Sequence, residues 1–346
     1  MLEKIILHIG VEKTGSTSIQ AFLSENHEAL DTLGFHVIEC ANQPNHFRAA
    51  LYAVEPGHLP YYQSKRNIKD DADRQAFEAT FEADLAAEIA ALPDRIHTMI
   101  ISTEHFHSKA KTRVGIEKLR TLLSAYTKSF EIICYLREQS DLLNAHYSQY
   151  LKGGFSMDFE HVLKACVPNS GFYNYERLLG LWSEVFTGSK ITPRIFAKDR
   201  LYEGSLLRDF VHCLDTSIDF SKFVEPEVKN QSLSQEGRDI MLALNRLSGT
   251  RAPMGIKTDV ENLTRKKLEK IFTGKGRAVT QSMYEQIRDR FHRSNVAVRD
   301  AYFPQLPTLF QDRTDLPDHV VASGKKYETY ADILIAMMRG KTEDRD

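Results

Sequence analysis

Residues 13–18, Lys-Thr-Gly-Ser-Thr-Ser, gather one ammonium and four hydroxyls in a single short stretch. Such a set holds an anion when it opens a helix. The first-turn N–H groups have no intrahelical partner, and the helix dipole adds positive potential there. Lys13 supplies a full charge. Thr14, Ser16, Thr17 and Ser18 supply donors, and Gly15 lets the backbone approach closely. Two other positions can act on an anion held there. Arg137 ends the apolar run 130–136, and its guanidinium fork suits a phosphate. Glu104 ends the apolar run 97–103 and can take the proton of an attacking hydroxyl; His105 and His46 are rivals for that role, and His107 lies in the same stretch.

These residues need a scaffold, and the apolar patterning predicts one. The runs 4–10, 34–39, 97–103, 130–136 and 190–198 read as strands, the last weakened by Pro193. Helical spacing covers 16–32, 74–92, 113–128 and 140–154 between them. Alternating strand and helix predict an α/β fold with a central parallel sheet and right-handed crossovers. From 205 onward the pattern is almost wholly helical: 205–214, 234–248, 258–272, 279–301 and 327–339. No linker separates the two parts. The expectation is one domain over 1–346, with 1–200 as the α/β core and 201–346 as a helical extension. Residues 41–70, with Pro44, Pro56, Gly57 and Pro60, read as a long irregular insertion of the kind that serves as a lid or binding loop.

Bulk properties narrow the classes of partner. With a formal net charge of −2 the chain has no global attraction for nucleic acid or an anionic membrane. No apolar run reaches the length of a membrane span, and the opening "MLEKIILHIG" is too short for a signal peptide. Cys40, Cys134, Cys166 and Cys213 are scattered, without a paired or zinc-binding spacing. The expectation is a soluble, cytoplasmic protein.

The motif that opens on Lys13 is not the nucleotide-phosphate loop G-x-x-x-x-G-K-S/T. Gly10 and Gly15 have the right separation, but Ser16 stands where the lysine should be. "IGVEKTGSTSIQ" instead resembles the phosphosulfate loop of sulfotransferases, in the form seen in bacterial and glycan enzymes. The resemblance implies a P-loop-type three-layer fold and 3′-phosphoadenylyl sulfate (PAPS) as donor, with no metal. It implies that Lys13, Thr14, Gly15, Ser16, Thr17 and Ser18 hold the 5′-phosphosulfate and that Arg137 grips the 3′-phosphate. The serine that joins that arginine in the family is replaced by Ala145. Ser148, one turn further on, is the favoured substitute, and Ser140 reads as a helix cap. The base falls on Glu104 by position, with His105 and His46 as alternatives.

Two weaker features point the same way. "KNQSLSQEGRDIM" (229–241) resembles a short element of bacterial sulfotransferases, although Ser234 also reads as an N-cap with Gly237 just inside the helix. Lys275 and Arg277, in "TGKGR", read first as a solvated charge run; the resemblance also offers them as a late basic loop that closes over the nucleotide in related enzymes. The resemblance implies transfer of a sulfuryl group to a hydroxyl of a carbohydrate or other small metabolite. Two other classes stay open. One is a magnesium-dependent phosphotransferase or nucleotide hydrolase, since "TMIISTE" is an apolar strand ending in an acid. The other is a non-catalytic binder of adenosine bisphosphate.

Overall fold

The computed structural model describes residues 1–41, 44–55, 57, 68–227, 232–248, 259–320 and 327–340. In chain order the first elements are β1 (Lys4–His8), α1 (Ser16–Glu25), α2 (His27–Thr32), β2 (Phe35–Val37), α3 (Phe47–Tyr52) and α4 (Asp71–Ala91). Then come β3 (Thr98–Ser102), α5 (His105–Ser108), α6 (Arg113–Leu123), β4 (Phe130–Leu136), α7 (Gln139–Lys152) and α8 (Phe159–Ala165). The rest are α9 (Tyr175–Val185), β5 (Lys190–Ile195), α10 (Leu206–Leu214), α11 (Gln235–Leu247), α12 (Asp259–Ile271), α13 (Gln281–Tyr302) and α14 (Tyr330–Gly340).

They fall into two compact units. The first comprises Met1–Arg137, Asn174–Glu227 and Ser294–Phe310; the second comprises Glu138–Tyr173, Val228–Arg293 and Gln311–Asp346.

The first unit is an α/β layer structure around a five-stranded sheet of order β2-β3-β1-β4-β5, with every neighbouring pair parallel. Every residue of β3 and β4 is buried, so both faces of the sheet are covered; this is why these strands appear in the sequence as unbroken apolar runs. On one face Ile6, Ile100, Ile133 and Tyr135 pack against Ile19, Phe22 and Leu23 of α1 and Leu207, Phe210 and Val211 of α10. Burying each such side chain stabilises the fold by about 1.5–3 kcal/mol. A ten-residue helix has little stability of its own, so this packing fixes where α1 begins. Pro193 is tolerated because β5 is an edge strand.

Register sets the site. His8 of β1 lies beside Ser102 of β3 and Ile133 of β4. Beyond β1, Val11 N–H bonds Tyr135 O at 3.1 Å, and Tyr135 N–H bonds Gly10 O at 2.8 Å. Thr103 N–H bonds His8 O at 3.0 Å. The carboxyl ends of three adjacent strands therefore deliver residues 10–15, 103–105 and 137 to one edge of the sheet.

The structure departs from the sequence expectation in four places. The helix expected over 16–32 breaks at Asn26, whose Nδ2 donates to Phe22 O and Val224 O, both at 2.9 Å. The insertion 41–70 contains α3, with Phe47, Ala49, Ala50, Leu51 and Tyr52 all buried; residues 42, 43, 56 and 58–67 lie outside the described residues. The two helices α8 and α9 lie in a stretch, 155–189, with no expected element. Ser140 is not a cap. Glu138 caps α7, accepting from Ser140 N and Asp141 N at 3.0 Å each.

In the second unit Ser234 caps α11 by accepting from Gly237 N at 3.1 Å, as its position in the sequence suggests. Asn144 ties α7 to α11 and to the turn after α12. Its Oδ1 accepts from Arg238 Nη1 at 2.7 Å and Ala278 N at 3.0 Å, and its Nδ2 donates to Gly276 O at 3.2 Å.

Candidate active site

The loop between β1 and α1 turns on three left-handed residues: Gly10, Lys13 and Gly15, with φ of +99°, +64° and +83°. For a lysine this conformation costs on the order of 1 kcal/mol and needs support. Arg137 supplies it, donating through Nη1 to Lys13 O at 2.6 Å. Thr14 and Ser16 face inward, their hydroxyls donating to Val11 O at 2.6 and 3.5 Å. Thr17 is exposed, and Lys13 and Ser18 are half-buried. Gly15 is the N-cap of α1. No side chain caps the helix, and its first turn holds no acidic residue. A Cβ on Gly15 would lie 2.3 Å from Leu206 Cδ2, so any larger residue would have to displace that side chain as well as adopt a positive φ.

Arg137 is set in place by neighbours that the sequence patterning does not reveal. Its guanidinium lies 5.7 Å from the Phe196 ring centroid, and its carbonyl accepts from the Tyr175 hydroxyl. Leu206, against Gly15, is anchored through the next turn of α10. There the fully buried Asp209 accepts from Tyr135 Oη at 2.9 Å, Arg194 Nε at 3.0 Å and Tyr202 N at 2.7 Å.

Glu104 stands directly across from the loop. The Cβ that Gly10 lacks would lie 3.2 Å from Glu104 Cα, so this glycine permits the two loops to touch. The Glu104 side chain is half-buried and accepts through Oε2 from Gln20 Nε2 at 2.6 Å. Gln20 lies on α1 and is 2 % exposed. Its only sequence signal is a lone amide within the apolar stretch of Ile19, Phe22 and Leu23.

The histidines differ in access. His105 is half-buried, with its ring edge-on to Phe47 at 5.0 Å. His107 is buried and accepts from Glu12 N through Nδ1 at 3.3 Å. His46 is fully buried and accepts from Ser102 N through Nδ1 at 2.8 Å; burial lowers its pKa to about 4. His8 Nδ1 lies 2.7 Å from Ser102 Oγ, and burial, with a smaller contribution from His46, lowers its pKa to about 3. Lys13, Arg137, Glu104 and His105 therefore belong to one sheet edge, while His46 and His107 lie beneath it.

Ser148 belongs to the second unit. It is 4 % exposed, and its Oγ accepts from Leu233 N at 3.5 Å. Lys275 and Arg277 are exposed on the turn that Asn144 holds. Among the described residues, no cluster of three His, Cys, Asp or Glu side chains is arranged to hold a metal ion, and no helix is long and apolar enough to cross a membrane.

No protein-family model matches the chain. An uncharacterized protein of Archaeoglobus fulgidus is 28 % identical over 148 residues, which make up 42 % of this chain. The matched segment spans 38 % of that relative's length. Among solved structures, a sulfotransferase from Alicyclobacillus acidocaldarius aligns with 87 % of this chain and 96 % of its own, at 9 % identity and a TM-score of 0.41. At that TM-score the likeness decides nothing, and the reading of the site rests on its own residues.

Proposed function

We propose that the protein is a sulfotransferase that uses PAPS as donor and a hydroxyl of a carbohydrate or other small metabolite as acceptor. One observation carries the reading. A loop bearing a lysine and hydroxyls opens an uncapped helix, packs at Gly10 against the backbone of Glu104, and that same helix, through Gln20, holds the half-buried Glu104 carboxylate. That pairs an anion cradle with a proton acceptor at adjacent strand ends, which is what sulfuryl transfer to a hydroxyl requires.

In this reading the phosphosulfate sits on Lys13, Thr14, Gly15, Ser16, Thr17 and Ser18, and Arg137 serves the 3′-phosphate. The acceptor oxygen attacks sulfur and forms the new S–O bond. The old bond from sulfur to the 5′-phosphate oxygen breaks, and its electron pair leaves on adenosine 3′,5′-bisphosphate. The acceptor proton passes to Glu104. Lys13 meets the charge that grows on the departing oxygen. Glu104 is favoured over His46 and His107 because those two rings are buried, and over His105 because Glu104 stands against Gly10.

The test is transfer from radiolabelled PAPS to a panel of carbohydrate and small hydroxylated acceptors, run with and without EDTA. Sulfated product formed equally in both supports the reading. Turnover of ATP with a strict magnesium requirement, and no use of PAPS, moves the protein to the phosphotransferases. Binding of adenosine 3′,5′-bisphosphate with no transfer to any acceptor leaves a binding protein.

A further inference from the structure

We infer that Gln20 is the positioning residue for Glu104, locking the base to the helix that carries the donor loop; this rests on the sulfotransferase reading.

Gln20 Nε2 donates to Glu104 Oε2 at 2.6 Å and reaches Ser102 O at 3.5 Å. Burying an amide is costly unless it is bonded, and a hydrophobe beside Ile19, Phe22 and Leu23 would pack α1 at least as well. What the amide adds is direction. It occupies one carboxylate oxygen and fixes the plane of the group, leaving Oε1 as the oxygen with capacity to accept the acceptor proton.

The position of Gln20 along α1 matters as much as its bond. It lies one turn after Ser16, so the phosphosulfate cradle and the clamp on the base are parts of one short rigid helix. Sulfur is placed by the first turn of α1 and the proton acceptor by the second. The distance between them is then set within one element, not across two strand-end loops. In-line transfer is sensitive to misplacement on the order of 1 Å, so this coupling is worth a buried amide.

The test compares Gln20→Met, which keeps length and bulk but loses the donor, with Gln20→Glu, which keeps shape and opposes Glu104 with a second carboxyl. Calorimetry with adenosine 3′,5′-bisphosphate and thermal unfolding accompany transfer kinetics with PAPS. Expected are a kcat lower by on the order of 10- to 10²-fold in both variants, with near-normal bisphosphate affinity. The acid limb of the pH–rate profile should move to higher pH in Gln20→Glu, where a second carboxyl faces Glu104. Gln20→Met combined with Glu104→Gln should be no slower than Glu104→Gln alone, because the two residues act as one unit.

A wild-type kcat in Gln20→Met overturns the inference while leaving the sulfotransferase reading intact. So does strict additivity in the double variant. If Gln20→Met does not fold, Gln20→Glu carries the pH comparison, and an unmoved acid limb there is equally decisive. A wild-type protein that neither binds adenosine 3′,5′-bisphosphate nor uses PAPS removes the reading, and this inference with it.

Discussion

Arg137 donates through Nη1 to the backbone carbonyl of Lys13 at 2.6 Å. The bond ties the end of β4 to the apex of the loop between β1 and α1 and supports a left-handed lysine. It also gives Arg137 two uses, one in shaping the loop and one, in the proposed function, in meeting a 3′-phosphate.

The two uses are separable by ligand. Adenosine 3′,5′-bisphosphate should bind wild type more tightly than AMP by about 10- to 10²-fold, the worth of one or two charge-assisted hydrogen bonds. Arg137→Ala should erase that preference; Arg137→Lys, which keeps the charge without the fork, should retain part of it. Calorimetry with both ligands reads the difference. If both ligands weaken equally in Arg137→Ala, Arg137 only shapes the loop. The same pair of titrations on Ser148→Ala tests the serine suggested by the sequence resemblance.

Lys13 and Glu104 should fail differently. In the proposed function the oxygen that Lys13 meets gains charge only as the S–O bond breaks, so Lys13→Ala should lower kcat on the order of 10²–10³-fold while weakening donor binding much less. Glu104→Gln should cost on the order of 10²–10⁴-fold in kcat with bisphosphate affinity nearly unchanged. A normal rate in Glu104→Gln together with its loss in His105→Ala would transfer the role of base to the histidine.

Much of the scaffold was legible because fully buried strands leave unbroken apolar runs, as in 98–102 and 130–136. The break at Asn26 was not legible, because its cause is a bond to Val224, 198 residues away in sequence. Helix α3 was hidden by the polar and proline-rich composition around it, although Phe47 and Leu51 are one turn apart. At the candidate site, Arg137 and Glu104 stood out because each follows an apolar strand, and Lys13 because it opens a run of hydroxyls before a helix. Gln20 and Tyr175 could not, since a single amide in a helix and a tyrosine far from the motif acquire meaning only through their partners. Gly15 shows both sides: its place in the motif is local, but the side chain it accommodates, Leu206, comes from α10.

Gly15→Ala should therefore damage stability as well as binding. Its φ of +83° is unfavourable for alanine, and the new methyl would meet Leu206. A loss on the order of 1–3 kcal/mol is expected from the backbone conformation. Urea unfolding of Gly15→Ala beside Gly15→Ala/Leu206→Ala separates strain from crowding. If the double variant recovers nothing, the backbone carries the whole cost.

In the second unit Asn144→Ala should be costly out of proportion to its size. It would strip a partner from Arg238, which is 2 % exposed, and two partners from the turn at Gly276 and Ala278. Burial already lowers the Arg238 pKa to about 10. Leaving a buried cation short of an acceptor should destabilise by about 1–3 kcal/mol or more. Asn144→Asp keeps the acceptors for Arg238 but loses the donor to Gly276 O, and should cost less. Equal losses in the two would place the effect in the turn and not in the arginine.

The last prediction concerns acid. His8 and His46 are buried on either side of Ser102, with pKa values lowered from 6.5 to about 3 and about 4. A lowered histidine pKa means that the unfolded chain takes up a proton that the folded chain refuses. Between about pH 6 and pH 4 the unfolded state therefore holds up to two more protons at these sites. Stability falls as the pH falls through that window, with a slope approaching about 2.7 kcal/mol per pH unit for two groups. Above pH 7 both states leave these rings neutral, and their contribution to the slope vanishes. His36 adds in the opposite sense: its pKa is raised despite desolvation, through its bonds to Glu88 and Asp31, so the stability it contributes is present below pH 6.5 and fades above it. Urea unfolding from pH 7.5 to 4.5 should show the net acid loss. His8→Asn should flatten the curve by about one proton's worth, while lowering stability at pH 7.5 if its bond to Ser102 Oγ is not replaced. An unchanged slope in His8→Asn would mean that His8 is not buried neutral in the folded protein, and that the acid sensitivity comes from elsewhere in the first unit.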